Sequence, residues 1–140
     1  MTFVLDCSVT MAWVFADEAT PETDRLRESL IGGRAFVPAL WPIEVGNVLW
    51  VATNRGRITR DECTRVRNSL RALPVEIEPV SAGRVWEAVL TLADEHGLSV
   101  YDAMYLELAL RMQLPLATLD RRLAVAAIAA GIEVPTLVSG

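Results

Sequence analysis

Residues 98–123 read LSVYDAMYLELALRMQLPLATLDRRL, the stretch around which the chain is organised. Ser99 and Asp102 have the Ser-x-x-Asp spacing of a capping box. An apolar helix follows, carrying Ala103, Met104, Leu106, Leu108, Ala109 and Met112. Pro115 stops it, and Leu116–Leu119 predicts a short buried strand closed by Asp120. Asp120 then opens a second helix, 121–130. Two acids therefore stand at helix starts on either side of one short strand.

The rest of the chain repeats this alternation. Thr2–Leu5 predicts a strand ending on Asp6, followed by a helix over 8–15. Pro21 occupies the first position of another helix, closed by Gly32 and Gly33. Ala35–Val37 predicts a second strand, and Pro42 enters the most apolar helix, about 41–54, with Gly56 beyond its end. Trp41, Val45, Val48, Leu49 and Ala52 share one face of it, while Trp50 and Val51 point elsewhere, which predicts a surface for association. Thr59-Arg-Asp-Glu62 is a capping box opening an arginine-rich helix to Leu73. Val75–Val80 predicts a third strand, Ser81 caps a helix that stops at His96-Gly97, and Glu133–Val138 predicts a last strand. Continuous apolar strands between helices indicate an α/β fold with a mostly parallel central sheet flanked by helices. No linker or repeat divides it, so one domain is expected over 1–138.

Charge narrows the function. The formal net charge is −5, yet between Arg55 and Arg71 six arginines (55, 57, 60, 65, 67 and 71) stand against only Asp61 and Glu62. That segment is locally basic, and Arg55, Arg57 and Arg60 are candidates for phosphate contact. The sequence contains no lysine, which excludes a P-loop lysine, a Schiff-base lysine and the lysine of a phospho-acceptor receiver. No apolar run reaches the ~18 residues of a membrane span, and the N-terminus lacks the basic region of a signal peptide. Cys7 and Cys63 are expected to be small buried apolar residues in a reducing, cytoplasmic setting.

The acids carry the chemistry. In open parallel sheets, ligands bind beyond the carboxyl ends of the strands. Asp6 and Asp120 follow strands there, and Glu44 lies in the first turn of a helix leaving the same edge. Asp102 opens the helix that feeds the Asp120 strand. Singly, each reads as well as a cap or as a complement to a helix dipole, an effect of about 0.3–1 kcal/mol. Four together are different. Two unit charges ~4 Å apart repel by about 4 kcal/mol at an effective dielectric near 20, so such a cluster is costly unless a cation neutralises it. Oxygen-only ligands favour Mg²⁺ or Mn²⁺.

In these segments the chain resembles PIN-domain proteins, and more closely the VapC-type ribonuclease toxins of toxin–antitoxin pairs. The matching segments are Val-Leu-Asp6-Cys-Ser8, Pro38-Ala-Leu-Trp-Pro-Ile-Glu44-Val-Gly-Asn47, Leu98-Ser-Val-Tyr-Asp102-Ala-Met-Tyr-Leu and Leu116-Ala-Thr118-Leu-Asp120-Arg-Arg-Leu. They keep their order over essentially the whole chain. The resemblance implies a metal-dependent endoribonuclease whose Asp6, Glu44, Asp102 and Asp120 hold one or two Mg²⁺ or Mn²⁺ ions. It further implies supporting roles for Ser8, Asn47 and Thr118, an RNA substrate, an antitoxin partner and a homodimer. Arg121 and Arg122, beside Asp120, are candidates for phosphate contact and equally for solvated first-turn residues. His96, the sole histidine, reads as a helix C-terminal residue. Three other readings stand beside this one. One is a PIN nuclease of RNA processing or decay without an antitoxin, and another is an inactive PIN scaffold. The third, an acidic-pocket receiver module, lacks the lysine it needs.

Overall fold

Four short strands, all parallel, form the sheet in the computed structural model, which describes residues 1–138. They are β1 (Thr2–Leu5), β2 (Arg34–Pro38), β3 (Val75–Glu78) and β4 (Leu116–Ala117), in the spatial order β3-β2-β1-β4. Phe3, Val4, Leu5, Ala35, Val37, Leu116 and Ala117 are completely buried, as a parallel sheet covered on both faces requires. The order has a functional consequence. From β1 the chain winds outward through β2 to β3, then returns across the sheet to place β4 on the other side of β1. The winding thus reverses between β1 and β4, and a crevice opens beyond the carboxyl ends of those two strands.

Helices connect the strands. Asp6 leads directly into α1 (Cys7–Val14), and Thr20 caps α2 (Pro21–Glu28) with a complete capping box. β2 runs into α3 (Leu40–Asn54), whose Trp41, Val45, Leu49 and Ala52 are buried as the spacing predicts. Trp50, on the other side of that helix, is 67% exposed. α4 (Arg60–Arg71) starts with both halves of the Thr59–Glu62 capping box in place. The segment capped by Ser81 is α5 (Ala82–Arg84), a π-helical turn (Val85–Val89) and α6 (Leu90–His96) in succession, ended by left-handed Gly97. α7 (Val100–Met112) is buried almost all round and packs on β1 and β2, and α8 (Arg121–Ala129) closes the described helices.

Several expectations need correction. Residues 133–138 do not form a strand. Leu116 N–H donates to the Glu133 carbonyl at 2.9 Å, but Pro135 has no N–H to continue a ladder. The segment is tied down instead by Thr20, whose hydroxyl donates to the Leu137 carbonyl at 2.7 Å. β4 is two residues long rather than four, because Thr118 turns away to serve the crevice. Cys7 and Cys63 are half-buried, since each lies on the rim of a helix rather than in the core. Among the described residues, no helix is long and apolar enough to cross a membrane.

Candidate active site

Asp6 stands at the N-cap of α1, where an aspartate ordinarily accepts a bond from its own helix. It does not do so: no side-chain cap is made. Its Oδ2 instead accepts two hydroxyls, from Ser8 at 2.6 Å and from Thr118 at 2.7 Å. Those hydroxyls are themselves fixed from β4's end of the crevice. Leu119 N–H donates to Ser8 Oγ at 2.9 Å, and Asp120 N–H donates to Thr118 Oγ1 at 3.0 Å. A continuous relay therefore joins the ends of β1 and β4, and all of it is aimed at one carboxylate that is 5% exposed.

The other acids reach the crevice from three helices. Asp120 does cap, taking Leu123 N–H on Oδ1 at 3.0 Å, so its position is fixed by the start of α8. Asp102 lies in the first turn of α7, its own N–H held by Ser99 Oγ at 3.1 Å. Glu44, expected in a first turn, lies half-buried in the second turn of α3, because that helix already starts at Leu40, and it accepts the Tyr105 hydroxyl on Oε1 at 2.5 Å.

The electrostatics show that the four act on one another. Burial raises the pKa of Asp6, and Asp102 and Asp120 push it further against the lowering effect of Ser8 and Thr118. Burial also raises Glu44, with repulsion from Asp6 and Asp102 added and the Tyr105 bond opposing. Asp102 is raised by burial and by Asp120, while its Ser99 bond and Arg122 offset part of this. Even Cys7 responds: burial first, then Glu44, Asp6 and Glu18, push its thiol up to about 12, so it remains protonated. Mutual repulsion among partly desolvated carboxylates is the condition a cation relieves.

The donor set fits a hard divalent cation, being all oxygen and strongly anionic. Among the described residues, no group of three or more Asp, Glu, His or Cys side chains stands close enough together to hold a metal ion as placed. The acids are gathered into one electrostatic field without being collapsed together, as repelling charges at the ends of separate elements are expected to be.

The remaining sequence candidates divide. Ser8 and Thr118 bear directly on Asp6, as described. Asn47, one turn after Glu44, is exposed. Arg121 and Arg122 are exposed in the first turn of α8, and Arg122 is the one whose charge is felt by Asp102. Arg55 and Arg60 are exposed at the end of α3 and the start of α4. Arg57 is different, because its guanidinium is already occupied. It bonds Asp17 at 2.9 Å and Glu18 at 3.0 Å and sits 3.7 Å from the Phe15 ring centroid. Sequence reasoning missed Tyr105, which the apolar pattern of α7 hides; its place one turn after Asp102 was the available signal.

Residues 3–129 match the PIN domain family. Over 124 residues the chain is 31% identical to Ribonuclease VapC3 of Pyrobaculum aerophilum, covering 89% of this chain and 93% of that protein. Among solved structures, PAE2754 of the same organism superposes with a TM-score of 0.68 at 27% identity, over 96% of this chain and 83% of that one. A toxin–antitoxin complex from Klebsiella pneumoniae superposes with a TM-score of 0.65 over 98% of both chains; at 19% identity it speaks for the fold alone.

Proposed function

The chain belongs to the PIN domain family, and from that premise we propose that it is the endoribonuclease toxin of a toxin–antitoxin pair, dependent on Mg²⁺ or Mn²⁺ held by Asp6, Glu44, Asp102 and Asp120. The observation that carries this reading is the Asp6 carboxylate. It is buried, raised in pKa, released from capping, and held by hydroxyls from both sides of the crevice. An arrangement that costs the fold stability and performs no capping is expected where function requires it. The relationship to a ribonuclease of the VapC type supplies the substrate class.

When bound, the ion acidifies a water and neutralises charge growing on the phosphoryl oxygens. The chain's own residues prepare for that. Ser8 and Thr118 fix the orientation of Asp6, so its ordering cost is met on folding rather than on binding. Asp120 is oriented by its bond to Leu123 N–H, and Asp102 by the start of α7. Arg122, and with it Arg121, offers a cation beside the acids for the RNA backbone, a role suited to the planar guanidinium. His96 ends α6 and takes no part. The setting proposed is the cytoplasm, where antitoxin and RNA meet the protein.

The direct test is incubation of the pure protein with total RNA, with Mg²⁺ or Mn²⁺ and then with EDTA. Cleavage that requires the ion and stops with EDTA is expected; cleavage indifferent to EDTA overturns the metal assignment. Trp50, exposed on α3 beside the exposed Arg60, is proposed to lie in the contact with the antitoxin or with a second copy of the chain. Light scattering and antitoxin titration of Trp50→Glu should show loss of one of these contacts, and a variant that keeps both mass and affinity removes Trp50 from the interface.

A further inference from the structure

We infer that Tyr105 is a positioning residue of the acid site: its hydroxyl holds the Glu44 carboxylate inside the crevice against the repulsion of Asp6 and Asp102. The inference rests on the reading of Glu44 as part of the metal-holding set and goes on to say what keeps it there.

Glu44 is the acid with the least reason to stay. Unlike Asp6, it accepts no hydroxyl from the β1–β4 relay, and unlike Asp120 it caps no helix. Its side chain is one carbon longer than aspartate, and it sits half-buried near solvent while Asp6 and Asp102 repel it. A long, partly exposed carboxylate in such a field relaxes outward unless something holds it. The bond from Tyr105 ties it to a side chain with no exposure at all, and so acts inward.

Tyr105 is built for this and for little else. It is the largest of the completely buried side chains, at 0% exposure. A phenol hydroxyl placed in a core is costly unless it is bonded, so a position that only needed filling favours phenylalanine. A carboxylate, when ionised, can only accept, and the Tyr105 hydroxyl donates to Glu44 Oε1. Its place on α7 matters as well. Asp102 and Tyr105 are three residues apart and share a side of the helix. α7 packs on β1 and β2, the strands that lead to Asp6 and toward Glu44. One rigid helix thus presents an acid of its own and a donor that fixes an acid of α3, across 61 residues of sequence.

The test separates this role from packing. Tyr105→Phe keeps the ring and removes only the donor. Mn²⁺ binding, followed by electron paramagnetic resonance on the protein without RNA, is expected to weaken by about 10–100-fold, the range for groups that orient a ligand from behind. The same substitution made on Glu44→Ala should cost almost nothing further, because the group it acts through is gone. An unchanged Mn²⁺ affinity in Tyr105→Phe, or an equal loss in both backgrounds, overturns the inference. If the wild type itself binds no Mn²⁺, the metal reading fails and this inference fails with it, which is a distinguishable result. Should Tyr105→Phe not fold, nuclear magnetic resonance of the wild type decides: a slowly exchanging Tyr105 hydroxyl proton, lost in Glu44→Ala, is expected. Rapid exchange in the wild type contradicts the bond.

Discussion

Two groups of buried and half-buried carboxylates meet at α7, and they are treated oppositely. Near its start, Asp102 joins Asp6, Glu44 and Asp120, whose charges repel one another and meet only Arg122 in part. Five residues on, Glu107 is 4% exposed yet fully answered. Arg84 donates to it at 3.0 Å, and Arg111, one turn away, bonds it at 2.9 and 3.4 Å. Both sites bury negative charge on one helix. At Glu107 the charge has been balanced and ties α5 to α7; at Asp102 it has been left unbalanced. Balanced buried charge serves the structure, whereas carboxylates left to repel one another mark a candidate functional site.

If this contrast is right, substitutions in the two groups should fail in different assays. The largest effect is expected for Asp6→Asn and Asp120→Asn, which should lower RNA cleavage by at least about 10³-fold while circular dichroism stays that of the folded wild type. A purified variant cutting at close to the normal rate would falsify the assignment. Glu107→Gln should do the converse. It is expected to lose about 1–3 kcal/mol of stability with cleavage unchanged, the lower part of that range being favoured because Arg84 is 45% exposed and retains solvent. Urea melts of this variant that coincide with wild type would make Glu107 as idle as a surface charge.

A smaller effect has an unusual sign. The folded pKa values of Asp6, Glu44 and Asp102 lie above the ordinary values of 3.8 and 4.5. Their contribution to stability is therefore complete below those values and is lost as pH rises through the raised ones. In EDTA, Asp102→Asn should melt about 2–6 °C above wild type at neutral pH, with the gap closing as pH falls toward 4. Mn²⁺ should raise wild type more than the variant. A variant that melts lower, with neither protein responding to Mn²⁺, returns Asp102 to the role of a helix-start residue. The smallest effect concerns the arginines. Arg122→Gln should flatten the salt dependence of RNA binding by about 0.7 in log–log slope, the value for one phosphate contact on a single strand. Arg57→Gln should leave that slope alone, because Asp17 and Glu18 already hold its charge. A change in slope for Arg57→Gln means the cage opens to RNA.

The sequence carried the architecture where local rules act. Continuous apolar runs bounded by proline and glycine marked β1 and β2, and Thr59 and Ser99 marked two helix starts, the first with both halves of its capping box and the second with the bond of the Ser99 hydroxyl to Asp102 N–H. The acids were legible because their elements end at one edge of a parallel sheet, and topology does the gathering. What stayed hidden depended on partners far along the chain. Arg57 sits in a basic run, but its neighbours in space come from forty residues earlier. Glu107 shows its i+4 partner Arg111 and conceals Arg84. Tyr105 looked like core because it is core; only the position of its hydroxyl gives it a second role. The missing final strand has a local cause that outweighs its apolar pattern, the absent donor of Pro135.

The bond between Thr118 and Asp6 spans 112 residues, and this separation has a consequence for how the protein is made. Synthesis delivers Asp6 and Glu44 early and Asp102, Thr118 and Asp120 late. A growing chain that already displays the first two acids has nothing to aim them: neither the hydroxyl of Thr118 nor the phenol of Tyr105 exists yet. β4 must be inserted beside β1, a long-range closure that comes slowly in folding. Until residue 120 has emerged and that closure is made, the ribosome carries a partial chain without an assembled acid pocket.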